Sequence, residues 1–259
     1  DTELYPGDRN GSPEGELRRS SWSGSTSSRM SDREASTVRL TTTVSEPPVP
    51  NHHADHPGFS GIGGLAIGLV MLARDPYARL AVELADVAAG DVVVDVGCGP
   101  GRAARLAARR GATVVGVDPA EVMLRLARTV SRRPLPISWV AGSAEAVPVP
   151  DRSATVLWSI RTVHHWRDLT AGLDEARRVL VAGGRLLVLE RHTTPGATGL
   201  ASHGWTRAQA DAFADECRQA GFADARVDEH RAGRRTVLSV QANAPALVVS
   251  ELAAGQPIR

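Results

Sequence analysis

The chain has 259 residues, with 30 basic and 29 acidic side chains and a net charge of +1. Length alone fits one to two domains, and the near-neutral balance excludes the basic footprint of a nucleic-acid binder. All thirty basic residues are arginine, so Schiff-base and lysine general-base chemistry are excluded.

Residues 1–50 are rich in Ser, Thr, Gly, Pro and Arg and carry no helical or strand period. Such a segment cannot bury enough apolar surface to offset its ordering entropy and is expected to be disordered. It lacks the apolar stretch of a secretory signal, and its eight acids argue against a transit peptide. Met30 is the first methionine, so translation is expected to begin there, with residues 1–29 upstream of it. Residues 51–87 are expected to form a helical cap, 88–242 the main domain and 243–259 a tail. The cap holds Asn51-His52-His53-Ala54-Asp55-His56, which looks like a ligand cluster but lies in a segment expected to be mobile; no metal is expected there. It also holds the apolar run 61–72. As a helix that run spans ~18 Å, too short for a hydrocarbon core of ~30 Å. It is expected to pack over a cleft, with shallow membrane-surface contact as the alternative.

Asp75-Pro76 reads as an N-cap and first helical position, opening a helix that runs to about Val87. A strand at 92–96 follows, then a helix at 102–110 stopped by Gly111, a strand at 113–117 and a helix at 119–130. Further strands are expected at 137–140, 154–159 and 185–190, with helices near 168–180 and 206–220. Two last strands lie near 224–230 and 235–241, joined by Ala232-Gly233-Arg234, a connection short enough only for a hairpin. Alternating strands and helices predict an α/β protein with a mainly parallel sheet. Cys98 and Cys217 have no metal or redox spacing and are expected to be reduced, which fits a cytoplasmic protein.

The most informative stretch is Val92-Val93-Val94-Asp95-Val96-Gly97-Cys98-Gly99-Pro100-Gly101-Arg102, a buried strand turning through three glycines into a helix. Such a turn lets backbone approach a ligand closely. A dinucleotide fingerprint needs Gly or Ala where Arg102 stands. The acid inside the turn suits a nucleoside carrying positive charge better than one carrying a pyrophosphate. The next strand, 113–117, ends at Asp118, beside the glycine turn, where a carboxylate can accept bonds from both ribose hydroxyls.

The pattern D-x-G-x-G-x-G resembles motif I of the class I S-adenosylmethionine (SAM) methyltransferases. Residues 142–151, GSAEAVPVPD, resemble the G-D-A-E-x-L-P-F-x-D stretch of the ubiquinone/menaquinone-biosynthesis type of that family (methyltransferase type 11), and 180–188 resemble its turn before the fifth strand. The resemblance implies a Rossmann-like seven-stranded, mostly parallel sheet with a C-terminal antiparallel hairpin. It implies SAM as cofactor, held by Asp95, Gly97, Cys98, Gly99, Gly101, Asp118 and Pro119. Ser143 and Ala144 would face the adenine, Ser143 standing where the family has an acid, and Ser159 and Ile160 would lie near the methionine part. His164 or His165, in the run His164-His165-Trp166, could act as general base. The segment after the fourth strand lacks the pattern of amino-methylating nucleic-acid enzymes, which leaves a small-molecule acceptor, with aromatic and lipidic molecules as the candidates. The alternatives are a non-catalytic SAM-fold binding or sensor protein and, more weakly, a nicotinamide-binding enzyme.

Overall fold

A computed structural model describes residues 48–55, 76–131 and 134–246. The expected disorder up to residue 47, the start at Met30, the Asp75 cap, His56, the apolar run 61–72 and the tail beyond 246 lie outside the described residues.

Seven strands form one sheet in the order β3-β2-β1-β4-β5-β7-β6. They are β1 (Val92–Val96), β2 (Thr113–Asp118), β3 (Ile137–Ala141), β4 (Ala154–Ile160), β5 (Leu180–Arg191), β6 (Ala223–Ala232) and β7 (Arg235–Asn243). β7 runs antiparallel to both β5 and β6, and the remaining pairs are parallel. The helices are α1 (Tyr77–Leu84), α2 (Arg102–Arg109), α3 (Glu121–Val130), α4 (Leu169–Val179) and α5 (Arg207–Gln219). This is the Rossmann-like sheet with a terminal hairpin that the sequence predicts.

Both sheet faces are covered, so the central strands read as continuous apolar runs. Side chains alternate between two cores with the strand period of two. Val94 and Val96 of β1, Leu157 of β4 and Leu186 and Val188 of β5 pack with α4 and α5. Val93, Val156, Trp158, Leu187 and Leu189 pack on the other face with α1 and α2. Trp158 is fully buried. Trp158→Ala is expected to cost about 3–5 kcal/mol, read as a fall in the urea midpoint.

Most expected elements begin and end within two residues of the observed ones. Gly111 closes α2 in the left-handed region, at φ +92. β5 differs, starting at Leu180 rather than 185. Leu180 pairs with Ala154 and the register then shifts, so residues 181–184 form an irregular stretch within the strand. Within the expected cap 51–87, residues 51–55 are turns and α1 is a helix lying on the sheet face against α2. Residues 50–53 are tied down. Pro50 O accepts from Trp205 Nε1 at 2.8 Å, His53 N donates to His164 O at 2.8 Å, and Asn51 Nδ2 donates to Trp166 O at 3.1 Å.

The strand order reverses between β1 and β4. In an open α/β sheet the crevice for a ligand lies there, beyond the carboxyl ends of the strands. The glycine turn follows β1, Asp118 ends β2, and the His164-His165 pair follows β4.

Candidate active site

The turn after β1 uses its own amides. Gly97 N and Cys98 N both donate to Val117 O, at 2.8 and 3.0 Å. Gly99 N donates to Asp118 Oδ2 at 2.8 Å, Gly101 N donates to Cys98 O at 2.9 Å, and position 100 is proline. Each amide of residues 97–101 therefore has an acceptor inside the fold, and none is aimed outward as a phosphate cradle would require. From within α2, Arg105 donates to Pro100 O at 2.6 Å and locks the turn from below.

The electrostatics agree. Asp95 and Asp118 are both buried, at 2% and 7% exposure. Burial pushes the Cys98 thiol well above its usual value, and the charges of Asp95 and Asp118 push it further the same way. Cys98 is accordingly a small space-filling residue rather than a nucleophile. The negative potential that disfavours a thiolate also disfavours a pyrophosphate, and it favours a cation.

Space at the turn is set by two glycines. Gly99, at φ +51, opens onto a gap: a side chain there would meet nothing within 4 Å. Gly101 is the opposite case. A Cβ there would lie 2.0 Å from Cη2 of Trp139, whose indole fills a slot left open by Gly101 and by Gly116 of β2.

Asp118 spreads its carboxylate over two amides, with Oδ1 accepting from Ala120 N at 2.8 Å. Each oxygen accepts one bond from the protein, and a carboxylate oxygen can accept two. Burial raises the Asp118 pKa, and the bonds from Ala120 N and Gly99 N oppose that rise. Pro119 is exposed next to it. After β3, Ser143 and Ala146 form a narrow turn with paired backbone bonds of 3.4 Å. Ala144 is buried and Ser143 half-buried. Glu145 accepts from Arg167 N at 2.7 Å and also from the Ser143 hydroxyl, which ties this turn to the start of α4.

At the end of β4, Ser159 is fully buried, and its Oγ lies 2.5 Å from Thr162 Oγ1. Thr162 in turn donates to Val96 O at 3.2 Å, so the β4 turn is bonded to the end of β1. Ile160 is half-buried. His164 and His165 follow on a single 3-10 turn. His164 is 2% exposed, with Nδ1 2.9 Å from Oε1 of the fully buried Glu190 on β5. His165 lies against it with ring centroids 4.2 Å apart. His52, His53 and His203 complete a packed group of five imidazoles, in which His53 and His203 stack at 4.5 Å.

Burial lowers the His165 pKa from 6.5 to about 4, with the neighbouring His164 acting in the same direction. The folded state thus binds fewer protons than the unfolded chain between these values. His165 costs no stability above pH 6.5 and destabilises progressively as the pH falls toward 4. His165→Asn is expected to flatten the decline of Tm between pH 6.5 and 4, followed by thermal melts across that range.

Sequence reasoning missed Glu190, His203, Arg105 and Trp139. Of these only Glu190 left a signal, a lone acid closing the apolar strand Leu-Leu-Val-Leu.

Residues 94–188 match the family model of a methyltransferase domain. Over that stretch the chain has the strand order and the sequence pattern of a class I SAM-dependent methyltransferase domain. Its relatives agree. The demethylmenaquinone methyltransferase of Tropheryma whipplei is 36% identical over 114 residues, covering 44% of this chain and 47% of that protein. Methyltransferase GfsG of Streptomyces halstedii is 36% identical over 143 residues, covering 54% and 50%. The chain spans about half the length of these curated relatives. A SAM-dependent methyltransferase from Aquifex aeolicus shares the fold, with a TM-score of 0.54 and 17% identity over 67% of this chain and 92% of that one. The matched region of the methyltransferase domain runs from β1 into β5 and holds Asp95, the glycine turn, Asp118, Ser143 and Ser159.

Proposed function

We propose that this chain transfers the methyl group of SAM to a small-molecule acceptor, with an aromatic or lipidic molecule as the first choice. One observation carries the donor half of this reading. The turn after β1 has no outward amide, stands between two buried carboxylates and opens a gap at Gly99. Those features fit a cationic nucleoside and oppose a pyrophosphate. Bound SAM supplies an electrophilic methyl on a sulfonium, whose loss leaves a neutral thioether.

In this reading Asp118 accepts the ribose hydroxyls with the lone pairs its amide partners leave. Ser143 and the Ala144 amide face the adenine; the Ser143 hydroxyl already donates to Glu145, so its oxygen is left to accept from the exocyclic amine. Asp95 supplies negative charge, and Gly97, Cys98, Gly99 and Gly101 let the backbone come close. Pro119 flanks the ribose. Ser159 acts through Thr162, holding the β4 turn to β1 beside the methionine end. Positioning a nucleophile in line supplies most of the acceleration such a reaction needs. Where a proton must leave the acceptor, His164 is the better placed base. Glu190 orients its ring, whereas His165, at about 4, is too weak a base for much work at pH 7.

The preference for an aromatic or lipidic acceptor rests on the resemblance to quinone-type enzymes and on the T. whipplei relative's name. Among the described residues no helix is long and apolar enough to cross a membrane. The test is label transfer from methyl-tritiated SAM to a panel of hydroquinones, phenols, fatty acids and acyl thioesters. Transfer to at least one class is expected. Tight SAM binding with no transfer to any class would replace this reading with that of a non-catalytic sensor.

A further inference from the structure

The imidazoles around His164 come from three separate parts of the chain. Residues 52 and 53 arrive on the N-terminal turns, 164 and 165 on the turn after β4, and 203 on the segment between β5 and α5. Neighbouring ring centroids lie 4.2 to 5.9 Å apart. We propose that His164, His165 and His203 form a site for a divalent transition-metal ion of the zinc class, with Glu190 and the His53 carbonyl orienting two of the three ligands. This goes beyond methyl transfer and does not depend on it.

The geometry comes first. Each of the three rings offers one nitrogen, and these nitrogens all lie within 4.8 Å of one another. A tetrahedral zinc with bonds of ~2.05 Å needs its nitrogens roughly 3.3 Å apart. The rings must therefore close by about 1.5 Å at most. His165 and His203 are half-buried and can swing, while His164 is fixed in the core.

Orientation is the second point. A metal-bound imidazole characteristically donates its other N–H to a carboxylate or a backbone carbonyl. His164 does so through Nδ1 to Glu190, which leaves Nε2 for the ion. His165 does so to the His53 carbonyl.

Charge is the third. Glu190 is fully buried, and its Oε2 has no hydrogen-bond partner among the described residues. A buried carboxylate with one oxygen left bare is costly unless positive charge stands near it. A cation held on the His164 ring offsets the cost.

An all-nitrogen donor set favours zinc, copper, nickel or iron over magnesium or calcium. Three protein ligands leave a fourth position for water or for a heteroatom of a bound molecule. An ion on His164 Nε2 takes the place of a proton there, so the loaded site and a general-base role for His164 exclude each other.

The test uses the full chain without an affinity tag, stripped with a chelator and titrated with Zn2+ at pH 7.5 against a chromophoric competitor. One ion per chain with sub-micromolar affinity is expected. Glu190→Gln should weaken binding about ten- to a hundredfold, and His203→Ala by at least as much. S-adenosylhomocysteine (SAH) binding, measured on the same samples, should persist in His203→Ala; this control reports separately on the methyl-donor site. Substitution with Co2+ should give the visible bands of a four-coordinate, nitrogen-ligated ion. Binding of less than a fifth of an ion per chain, or Zn2+ affinity unchanged in His203→Ala, would overturn the proposal. Should that variant not fold, the Co2+ spectrum of the unaltered protein decides: six-coordinate, water-like bands reject the site.

Discussion

Asp118→Ala is expected to weaken SAH binding by at least a hundredfold in calorimetric titration. Two ribose hydroxyls on one carboxylate contribute about 1.5–3 kcal/mol each, which corresponds to roughly 10² to 10⁴ in affinity. The same carboxylate also holds Gly99 N and Ala120 N, so its removal frees the glycine turn as well. Asp118→Asn separates the two effects. The amide keeps one acceptor oxygen but loses the charge and offers N–H groups toward the Gly99 amide. A loss smaller than that of Asp118→Ala is expected. A change below about fivefold in Asp118→Ala would mean that the end of β2 does not hold the ribose.

Gly101→Ala should be nearly as damaging, for a different reason. The new Cβ would fall 2.0 Å from the Trp139 ring, at a residue with φ +71. An L side chain in that left-handed region costs about 1–2 kcal/mol before any clash is counted. Movement of the indole downward is opposed by the bare backbone of Gly116 on β2, against which the ring already lies. The turn must shift, and with it the Gly99 gap. A drop in Tm of several degrees and a loss of SAH affinity above tenfold are expected. Trp139→Ala in the same chain should restore part of the stability, since it removes the clash but not the backbone strain. That coupling, read as a double-mutant cycle, distinguishes a packing defect from a general loss of fold.

The parts of this molecule that sequence revealed are those in which neighbours in the chain are also neighbours in space. The valine run of β1, the alternate glycines, the acid one strand later and the three-residue hairpin before β7 all act within a single βαβ or ββ unit. Asp95, Asp118 and the turn at Ser143 could be placed because a parallel sheet puts its strand ends side by side. What stayed hidden depends on side chains far apart in sequence. Trp139 meets Gly101 and Gly116 across two strands. Glu190 meets His164 across β4 and β5, and His203 reaches both histidine pairs from a segment with no periodic pattern. Residues 52–53 read as a mobile ligand-like cluster because their anchors, His164 O and Ser202, lie more than a hundred residues away. The early start of β5 was hidden by Gly183 and Gly184, which signal a turn although Leu180 still pairs with Ala154.

The most direct test of the account is a side-by-side titration of the full chain with SAH and with NAD+. The spent amides of residues 97–101 and the two buried acids predict one SAH site in the micromolar range or tighter, and no detectable NAD+ binding. Heat or a thermal shift with NAD+ and none with SAH or SAM would contradict it.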